Sequence, residues 1–212
     1  MIRTSTRPSK RLPSGLVGNV LNVVVSTTLL VLIGLHVDGN VATEAERFVF
    51  RLINGLPSFF YRPVWVVMQL GNLIVVPVVA VIALVLRRYR LMIASLLVGV
   101  GKWYFSLLLK DTFFRQRPAS VLSDVIVRDV PTAGQAFVSG HAVIAVGLAV
   151  ILQPYVSRRW RIVIWVAAAF VCAARVYVGA HLPLDVVGGA CAGWAIGSAA
   201  NLLTNVRRRQ TP

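Results

Sequence analysis

Acidic side chains are scarce in this sequence, since only 7 of its 212 residues are Asp or Glu, against 22 Lys and Arg. Charged residues of both signs make up 14% of the chain, whereas soluble globular proteins usually carry about 25%. Hydrophobic residues make up 57% and the mean hydropathy is +0.76. A composition this apolar excludes two classes of protein, a soluble domain with a single core and a disordered basic tail. The length of the chain excludes a large multidomain protein.

Cysteine is scarce as well. Cys172 and Cys191 are the two present, and both lie in apolar stretches. Two such residues form neither a disulfide framework nor the paired spacing of a zinc site. They are interpreted as small buried hydrophobic residues.

Long apolar runs fill most of the chain. A membrane core about 30 Å thick is crossed by about 20 helical residues, and six stretches approach that length: residues 16–37, 63–86, 91–109, 138–156, 162–180 and 184–206. The first stretch follows four basic residues, as in a signal peptide, but it is longer than the apolar region of about 7–15 residues that such peptides carry. The sequence therefore predicts an all-α, polytopic membrane protein, with a six-transmembrane helix bundle over residues 16–206.

Basic residues are unevenly distributed between these spans. Four lie near the amino terminus and three follow each of spans two, four and six, so thirteen of the 22 share one side of the membrane, where none of the seven acidic residues lies. The positive-inside rule then predicts a multi-pass protein of the cell membrane, with both termini in the cytoplasm as basic tails over residues 1–15 and 207–212. Topology thus accounts for most of the net charge of +15, and nucleic acid is not expected as a partner.

Two segments on the opposite side are long. Residues 38–62 mix aromatic and aliphatic residues with charged ones, which indicates an amphipathic element on the outer membrane surface. Within it, the basic residues Arg47, Arg51 and Arg62, which lie near Glu44 and Glu46, are interpreted as a solvated face. Residues 110–137 form the longest loop, and their prolines argue against a continuous helix.

Several of the remaining basic residues lie within or at the ends of the spans, outside the cytoplasmic clusters; the six considered are Lys102, Lys110, Arg115, Arg117, Arg128 and Arg175. A cation at the centre of a membrane helix costs about 2.5–3.5 kcal/mol and usually has a function, although near the interface its side chain can reach water. Lys110 and Arg117 are seven residues apart, so they share nearly the same face if the helix continues to Pro118.

Span four begins with Ser139, Gly140 and His141. Ser139 is expected to cap the helix, and Gly140 permits close approach to the free amide groups of the first turn. The amino terminus of a helix favours an anion, so this sequence is a candidate anion site.

Polar residues also surround the boundary between spans five and six. Arg175 lies near the outer end of span five, His181 follows it, and Asp185 falls in the first turn of span six, after Pro183. Each has an ordinary explanation, since a carboxylate stabilises a helix amino terminus and a single histidine is more often a packing residue. All these residues nevertheless reach the same outer face. Cations, a helix amino terminus, two histidines and a carboxylate suit phosphoryl transfer, in which one imidazole attacks phosphorus and the other protonates the departing oxygen.

Three motifs together resemble the signature of the type-2 phosphatidic acid phosphatase superfamily: Lys110-x6-Arg117-Pro118, Ser139-Gly140-His141 and Arg175-x5-His181-x3-Asp185. The resemblance implies that His181 is a nucleophile forming a phosphohistidine, that Asp185 orients it, and that His141 protonates the leaving oxygen. It also implies a set of residues that hold the phosphate: Lys110, Arg117, Ser139, Gly140 and Arg175. No metal or other cofactor is implied.

Two positions depart from the family pattern. Val138 stands where the family usually has Pro, and Ala174 stands where it usually has Ser. The first change would loosen the beginning of span four, and the second removes a hydroxyl that could support the phosphate or a neighbouring Arg. Neither removes a group assigned to the chemistry, so activity is still expected.

The resemblance implies a lipid phosphate that reaches an extracytoplasmic site from the bilayer. A polyprenyl diphosphate or a polyprenyl-linked sugar phosphate is favoured, and phosphatidic acid or phosphatidylglycerol phosphate is the alternative. Lys102 lies eight residues before Lys110, about 12 Å along a helix. It is expected to contact a second phosphate or to line the lipid cavity, and the alternative is an outward-facing or paired structural lysine.

Two other interpretations of these residues are open. Two histidines and an aspartate could hold a metal ion, although the surrounding cations disfavour one. A non-catalytic lipid-phosphate binder or transporter could use the same scaffold, and it would bind phospholipid without releasing phosphate. The sequence does not indicate an oligomeric state.

Overall fold

The computed structural model describes residues 14–204 of the chain. Within them the chain forms nine α-helices, and its sole strand-like pairing is an isolated bridge between Gln116 and Gln135. The helices are α1 Ser14–Val37, α2 Glu44–Asn54, α3 Tyr61–Met68, α4 Val75–Val85, α5 Tyr89–Thr112, α6 Pro118–Val121, α7 Gly140–Leu152, α8 Arg158–Tyr177 and α9 Pro183–Leu203. The all-α prediction is confirmed. The predicted basic tails lie outside the described residues, apart from Ser14 and Gly15.

Four helices are long and apolar enough to cross a membrane on their own, namely α1, α5, α8 and α9. The stretches around α3 and α4 would together form a fifth span, but the chain bends by 60° between them. α7 and the 3-10 turn that follows it cover Gly140–Tyr155, which is a shorter apolar element. The polytopic membrane bundle is therefore confirmed as a fold class, and the six predicted spans correspond to four long helices, one broken pair and one short helix.

The break between α3 and α4 falls inside the second predicted span, residues 63–86. A 3-10 turn at Gln69–Gly71 ends α3, and Asn72 then adopts an extended backbone. The side-chain oxygen of Asn72 accepts a hydrogen bond from the amide of Ile74 at 3.2 Å, which supports the start of α4. Asparagine bonds its own neighbouring backbone readily, so it offers the chain an alternative to continuous helix.

α7 lies at the centre of the bundle, where all ten residues from Ala142 to Ile151 are buried. α9 packs against it through small residues. A Cβ atom on Gly189 would lie 2.6 Å from the carbonyl oxygen of Ser139, and one on Gly197 would lie 2.8 Å from the carbonyl oxygen of Gly147. Glycine permits this backbone contact, so the first turns of α7 and α9 lie side by side.

α2 corresponds to the amphipathic element expected within residues 38–62. The hydroxyl of Thr43 caps it by accepting a hydrogen bond from the amide of Glu46 at 3.2 Å. Phe50 on one face is buried, whereas Phe48 and Leu52 on the other are 68% and 63% exposed. One apolar side of the helix thus faces the protein and the other faces its surroundings.

The segment between α5 and α7 contains one helical turn, α6, and Arg128 holds it to the rest of the protein. The guanidinium of Arg128 donates to the carbonyl oxygens of Asn54 at 3.0 Å and Leu56 at 2.7 Å, and also to that of Tyr177. It stacks on the ring of Tyr177, 4.1 Å from the centroid. Arg128 is therefore a structural cation, because backbone carbonyl oxygens bind its guanidinium.

α5 ends at Thr112, so the helix does not continue to Arg117, and the condition under which Lys110 and Arg117 would share a helical face is not met. Phe113 adopts an extended backbone, and its ring packs edge-on against Phe137 with 5.7 Å between centroids. Burial of this ring in the core favours the extended chain over another helical turn. Arg117 reaches the site from the loop instead.

Candidate active site

His181 and Asp185 lie together where α8 gives way to α9. His181 is in the link between the helices and is 5% exposed, and Asp185, in the first turn of α9, is fully buried. The imidazole Nδ1 lies 3.8 Å from Oδ2 of the carboxylate, which also accepts a hydrogen bond from the amide of Leu182 at 2.8 Å. Burial lowers the pKa of His181, and its contact with Asp185 partly opposes that shift. The imidazole is therefore neutral at pH 7, the form that a nucleophile requires.

The amino end of α7 lies against the same turn of α9. The amide of Ser139 donates to the carbonyl oxygen of Asp185 at 3.0 Å. Ser139 stands at the N-cap, as its sequence predicts, but its side chain makes no capping bond. His141 follows in the first turn, close enough to interact electrostatically with Arg175, His181 and Lys102.

Gly71 supports His141 from the break between α3 and α4. A Cβ atom at Gly71 would lie 2.8 Å from the carbonyl oxygen and 3.0 Å from the Cβ of His141. The break in the second predicted span therefore lets backbone pack directly behind a candidate catalytic residue, and a larger side chain would push it away.

Two arginines reach the site from different segments of the chain. Arg117 donates through Nε to the carbonyl oxygen of Ala133 at 3.0 Å and through Nη1 to that of Ala180 at 3.2 Å. Arg175, in the last turn of α8, is 7% exposed, and its Nη1 contacts the sulfur of Met68 at 3.4 Å. Burial lowers the pKa of Arg117, and the negative charge of Asp185 opposes this shift.

Two lysines of α5 face the same region. Lys110 and Lys102 are half-buried, and Lys110 interacts electrostatically with both Lys102 and Arg117. The Cε atom of Lys102 lies 3.0 Å, and its Nζ atom 3.7 Å, from where a Cβ of Gly140 would stand. The side chain of Lys102 therefore lies beside the first turn of α7.

All the site residues expected from the sequence thus come together in one cluster, which α5, the following loop, α7, α8 and α9 supply. Three buried polar atoms of the cluster have no hydrogen-bond partner: Oγ of Ser139, Nε of Arg175 and Nδ1 of His181. Within residues 14–204, no group of three or more His, Cys, Asp or Glu residues is arranged to hold a metal ion. A cationic cluster with free donors around one histidine–carboxylate pair suits a phosphate group.

The model of the PAP2 superfamily matches residues 88–209, more than half of the chain. The chain belongs to the PAP2 superfamily.

Two solved structures share the fold of this PAP2 protein. The crystal structure of LpxE from Aquifex aeolicus superimposes with a TM-score of 0.66 at 25% identity, covering 71% of this chain and 91% of that one. The crystal structure of a transmembrane PAP2-type phosphatidylglycerolphosphate phosphatase from Bacillus subtilis gives a TM-score of 0.70 at 21% identity, covering 90% and 99%. No curated protein matches the chain. In general class the protein is a membrane-embedded PAP2 lipid phosphatase, a hydrolase of phosphoric esters.

Sequence reasoning missed two residues of this PAP2 site, Arg115 and Glu46. Arg115 is completely buried, and its guanidinium contacts Oδ1 of Asp185 at 3.0 Å and Oε2 of Glu46 at 2.6 Å. Glu46 lies near the arginines interpreted as a solvated face, but its own side chain is buried, at 3% exposed. The signal available in the sequence was the position of Arg115, a cation directly after two phenylalanines.

The two departures from the family pattern are both buried. Val138 is 1% exposed and packs near Gly188, where a Cβ would lie 3.3 Å from its Cγ1 atom. Ala174 is 2% exposed and belongs to an apolar cluster with Met68 and Tyr177. Van der Waals packing replaces any polar contact at both positions.

Proposed function

We propose that this PAP2 protein hydrolyses the phosphate or diphosphate monoester of a lipid through a phosphohistidine intermediate on His181. The observation that carries the proposal is the buried imidazole of His181, 3.8 Å from the buried carboxylate of Asp185, among Lys102, Lys110, Arg117 and Arg175. Such a site neutralises the equatorial oxygens of a phosphoryl group and leaves the nucleophile uncharged.

The reaction has two balanced steps. In the first, Nε2 of His181 attacks phosphorus, the bond between phosphorus and the lipid-side oxygen breaks, and protonated His141 transfers its proton to that oxygen. Asp185 faces Nδ1 of the resulting cationic imidazole. In the second, neutral His141 takes a proton from water, the oxygen attacks phosphorus, and the P–N bond breaks to release inorganic phosphate and restore His181.

Charge from side chains supports a metal-independent reaction. Four cations and the free amides of the first turn of α7 can bind the phosphate without a bridging ion. Activity is expected to persist in excess chelator, and its loss and recovery on adding Mg²⁺ or Zn²⁺ would contradict this part of the proposal.

A diphosphate on a polyprenyl chain, or a polyprenyl-linked sugar phosphate, is the favoured substrate. Lys102 supports the diphosphate, because its ammonium lies beside Gly140 at the same helix end as the proposed phosphate site. A charge-assisted hydrogen bond contributes about 1.5–3 kcal/mol, so Lys102→Met is expected to lower kcat/KM about tenfold or more for a diphosphate and much less for a monophosphate. An equal change for both substrates would assign Lys102 a structural role.

Phosphatidic acid or phosphatidylglycerol phosphate is the second candidate substrate. The structural similarity to a Bacillus subtilis protein named as a phosphatidylglycerolphosphate phosphatase supports this second class of substrate about as well as the polyprenyl class is supported. A panel of purified lipid phosphates, with inorganic phosphate release as the readout, separates the two classes by their kcat/KM values.

The matched control for that panel is His181→Ala. The variant should bind lipid phosphate and release none, and the unmodified protein should form an acid-labile, base-stable phosphoenzyme that the variant lacks. Lipid binding without turnover by the unmodified protein would support the alternative of a non-catalytic binder or transporter.

Location and sidedness belong to the same proposal. The distribution of basic residues favours the cell membrane, with both termini in the cytoplasm and the cluster on the extracytoplasmic side. In a background without Cys172 and Cys191, a cysteine at Ser123, exposed in the loop before α7, should react with an impermeant maleimide in intact cells. A cysteine at Arg159 should react after lysis only, and the reverse pattern would invert the topology.

A further inference from the structure

Glu46, Arg115 and Asp185 form a chain of buried charges that reaches from α2 to the catalytic cluster. The side chains of Arg115 and Asp185 are fully buried and that of Glu46 is 3% exposed. Arg115 bridges the two carboxylates at 2.6 Å and 3.0 Å. Burying three ionised groups costs free energy unless each is paired. A role in the site would account for their presence beside a candidate nucleophile.

Arg115 and a backbone amide divide the two oxygens of Asp185 between them. Nη1 of Arg115 binds Oδ1, and the amide of Leu182 binds Oδ2 at 2.8 Å. Oδ2 is also the atom nearest the imidazole of His181. With both oxygens engaged, the carboxylate cannot rotate, and Oδ2 stays directed toward Nδ1. Without Arg115, one amide would be left to set the orientation.

Glu46 determines how much charge this arrangement leaves beside His181. A single Arg–Asp pair would be neutral and would weaken the attraction between Asp185 and a cationic imidazole. Because Glu46 binds the same guanidinium, two carboxylates share one cation, and the three groups carry a net charge of −1. One negative charge therefore stays next to the imidazole that becomes cationic when it is phosphorylated.

Glu46 also connects this charge to the backbone of α9. Its Oε1 accepts a hydrogen bond from the amide of Leu184 at 2.8 Å, while Oε2 holds Arg115. Arg115 in turn donates to the carbonyl oxygen of Val41 at 3.1 Å, just before α2. The segment leading into α2 and the first turn of α9 are thus fixed to the same guanidinium.

We propose that Arg115 and Glu46 are positioning residues that orient Asp185 and maintain one net negative charge beside His181. The inference rests on the proposed function, because it assigns the pair a role in stabilising the phosphohistidine. It predicts an effect on the chemical step, so kcat should fall while KM, which reflects phosphate binding by the separate cations, changes little.

Four variants test the proposal in purified, folded protein. Glu46→Gln keeps the shape and removes the charge, and it should lower kcat about tenfold to a hundredfold, with KM changed less than about threefold. Arg115→Lys should retain more activity than Arg115→Gln. The double variant with Gln at both positions returns the net charge to −1, so its kcat should exceed that of Arg115→Gln; additive losses would contradict the charge argument.

Arg128→Gln is the matched control for lost stability. Arg128 is another buried arginine of the same loop, 7% exposed, but it binds backbone carbonyls and no carboxylate. It should lower the unfolding temperature and leave kcat per folded molecule unchanged. If kcat falls equally in Arg128→Gln and Glu46→Gln, or in neither, the positioning role is wrong. No turnover by the unmodified protein would overturn the proposed function and this inference with it, whereas normal kinetics of Glu46→Gln would overturn the inference alone.

Discussion

The guanidinium of Arg117 donates to the carbonyl oxygen of Ala180 across 3.2 Å, so a loop residue holds the backbone immediately before His181. It also binds the carbonyl oxygen of Ala133 at 3.0 Å. A lysine carries the charge but lacks the planar fork that reaches both oxygens. Arg117→Lys is therefore expected to lower kcat/KM about tenfold to a hundredfold, the equivalent of one charge-assisted hydrogen bond, measured by phosphate release.

Arg51→Lys is the matched control for that change. Arg51 pairs with Asp124 at 2.7 Å, but both side chains are about half exposed, and such pairs contribute about 0–1 kcal/mol. Its kcat/KM should equal that of the unmodified protein. A loss of the same size in both variants would mean that the loop as a whole, and not the contact to Ala180, governs activity.

Gly71→Ala is expected to impair catalysis although Gly71 lies outside the three sequence motifs. The added Cβ would lie 2.8 Å from the carbonyl oxygen of His141, and this backbone cannot yield without moving the first turn of α7. A displacement of about 1 Å at a catalytic group can cost about a hundredfold in rate. Steady-state kcat with the preferred lipid measures the loss, and unchanged kcat in a stably folded variant would show that His141 tolerates the shift.

Gly197→Ala tests helix packing apart from catalysis. Its Cβ would lie 2.8 Å from the carbonyl oxygen of Gly147, in the part of α9 beyond the site, so overpacking should cost about 1–3 kcal/mol. The unfolding temperature in detergent should fall while kcat of the folded fraction persists. Gly18→Ala is the control, because nothing lies within 4 Å of its Cβ position and alanine favours helix; equal destabilisation there would contradict the packing argument.

The pH dependence of kcat/KM should reflect the buried state of His181. Burial lowers the pKa of this imidazole below its ordinary value, which is about 6.5. The neutral nucleophile therefore persists as the pH falls through 6.5, and the acid limb of kcat/KM should lie below that value. Substrates with different phosphate pKa values serve as the control. If the acid limb of the pH profile arises from a group on the enzyme, its position does not change with the pKa of the substrate phosphate. A fixed limb at or above pH 6.5 would contradict the prediction.

Local patterns in the sequence predicted an all-α bundle and the polar residues that the structure places together at one end of α7 and α9. The start of α9 at Pro183 follows the predicted boundary, with Asp185 in the first turn. The lengths of the apolar runs predicted the spans, because every helix that crosses a membrane needs about 20 predominantly apolar residues. Whether the helix continues from Lys110 to Arg117 could not be predicted from the spacing, because burial of Phe113 against Phe137 is a long-range contact that no local pattern carries.

The connection between Glu46 and Asp185 could not be predicted for a similar reason. The two residues are far apart in the chain, and they meet through Arg115 only after α2 has docked against α9. On its own, a glutamate in the first turn of an amphipathic helix resembles an ordinary capping-turn residue. The break at Gly71 was equally hidden, since its residues are as apolar in sum as those of an unbroken span.

The combined length of α7 and the 3-10 turn after it bears on how deep the proposed phosphate site would lie in a membrane. Gly140–Tyr155 rises about 24 Å, whereas the hydrocarbon core is about 30 Å thick. If one end of this element lies at one boundary of the hydrocarbon core, the end beside His181 lies about 6 Å inside the opposite boundary. A lipid headgroup must then sink below the plane of its neighbours before its phosphate can react. In doing so it exchanges part of its hydration for the guanidinium and ammonium groups of the protein, which take the place of interfacial water.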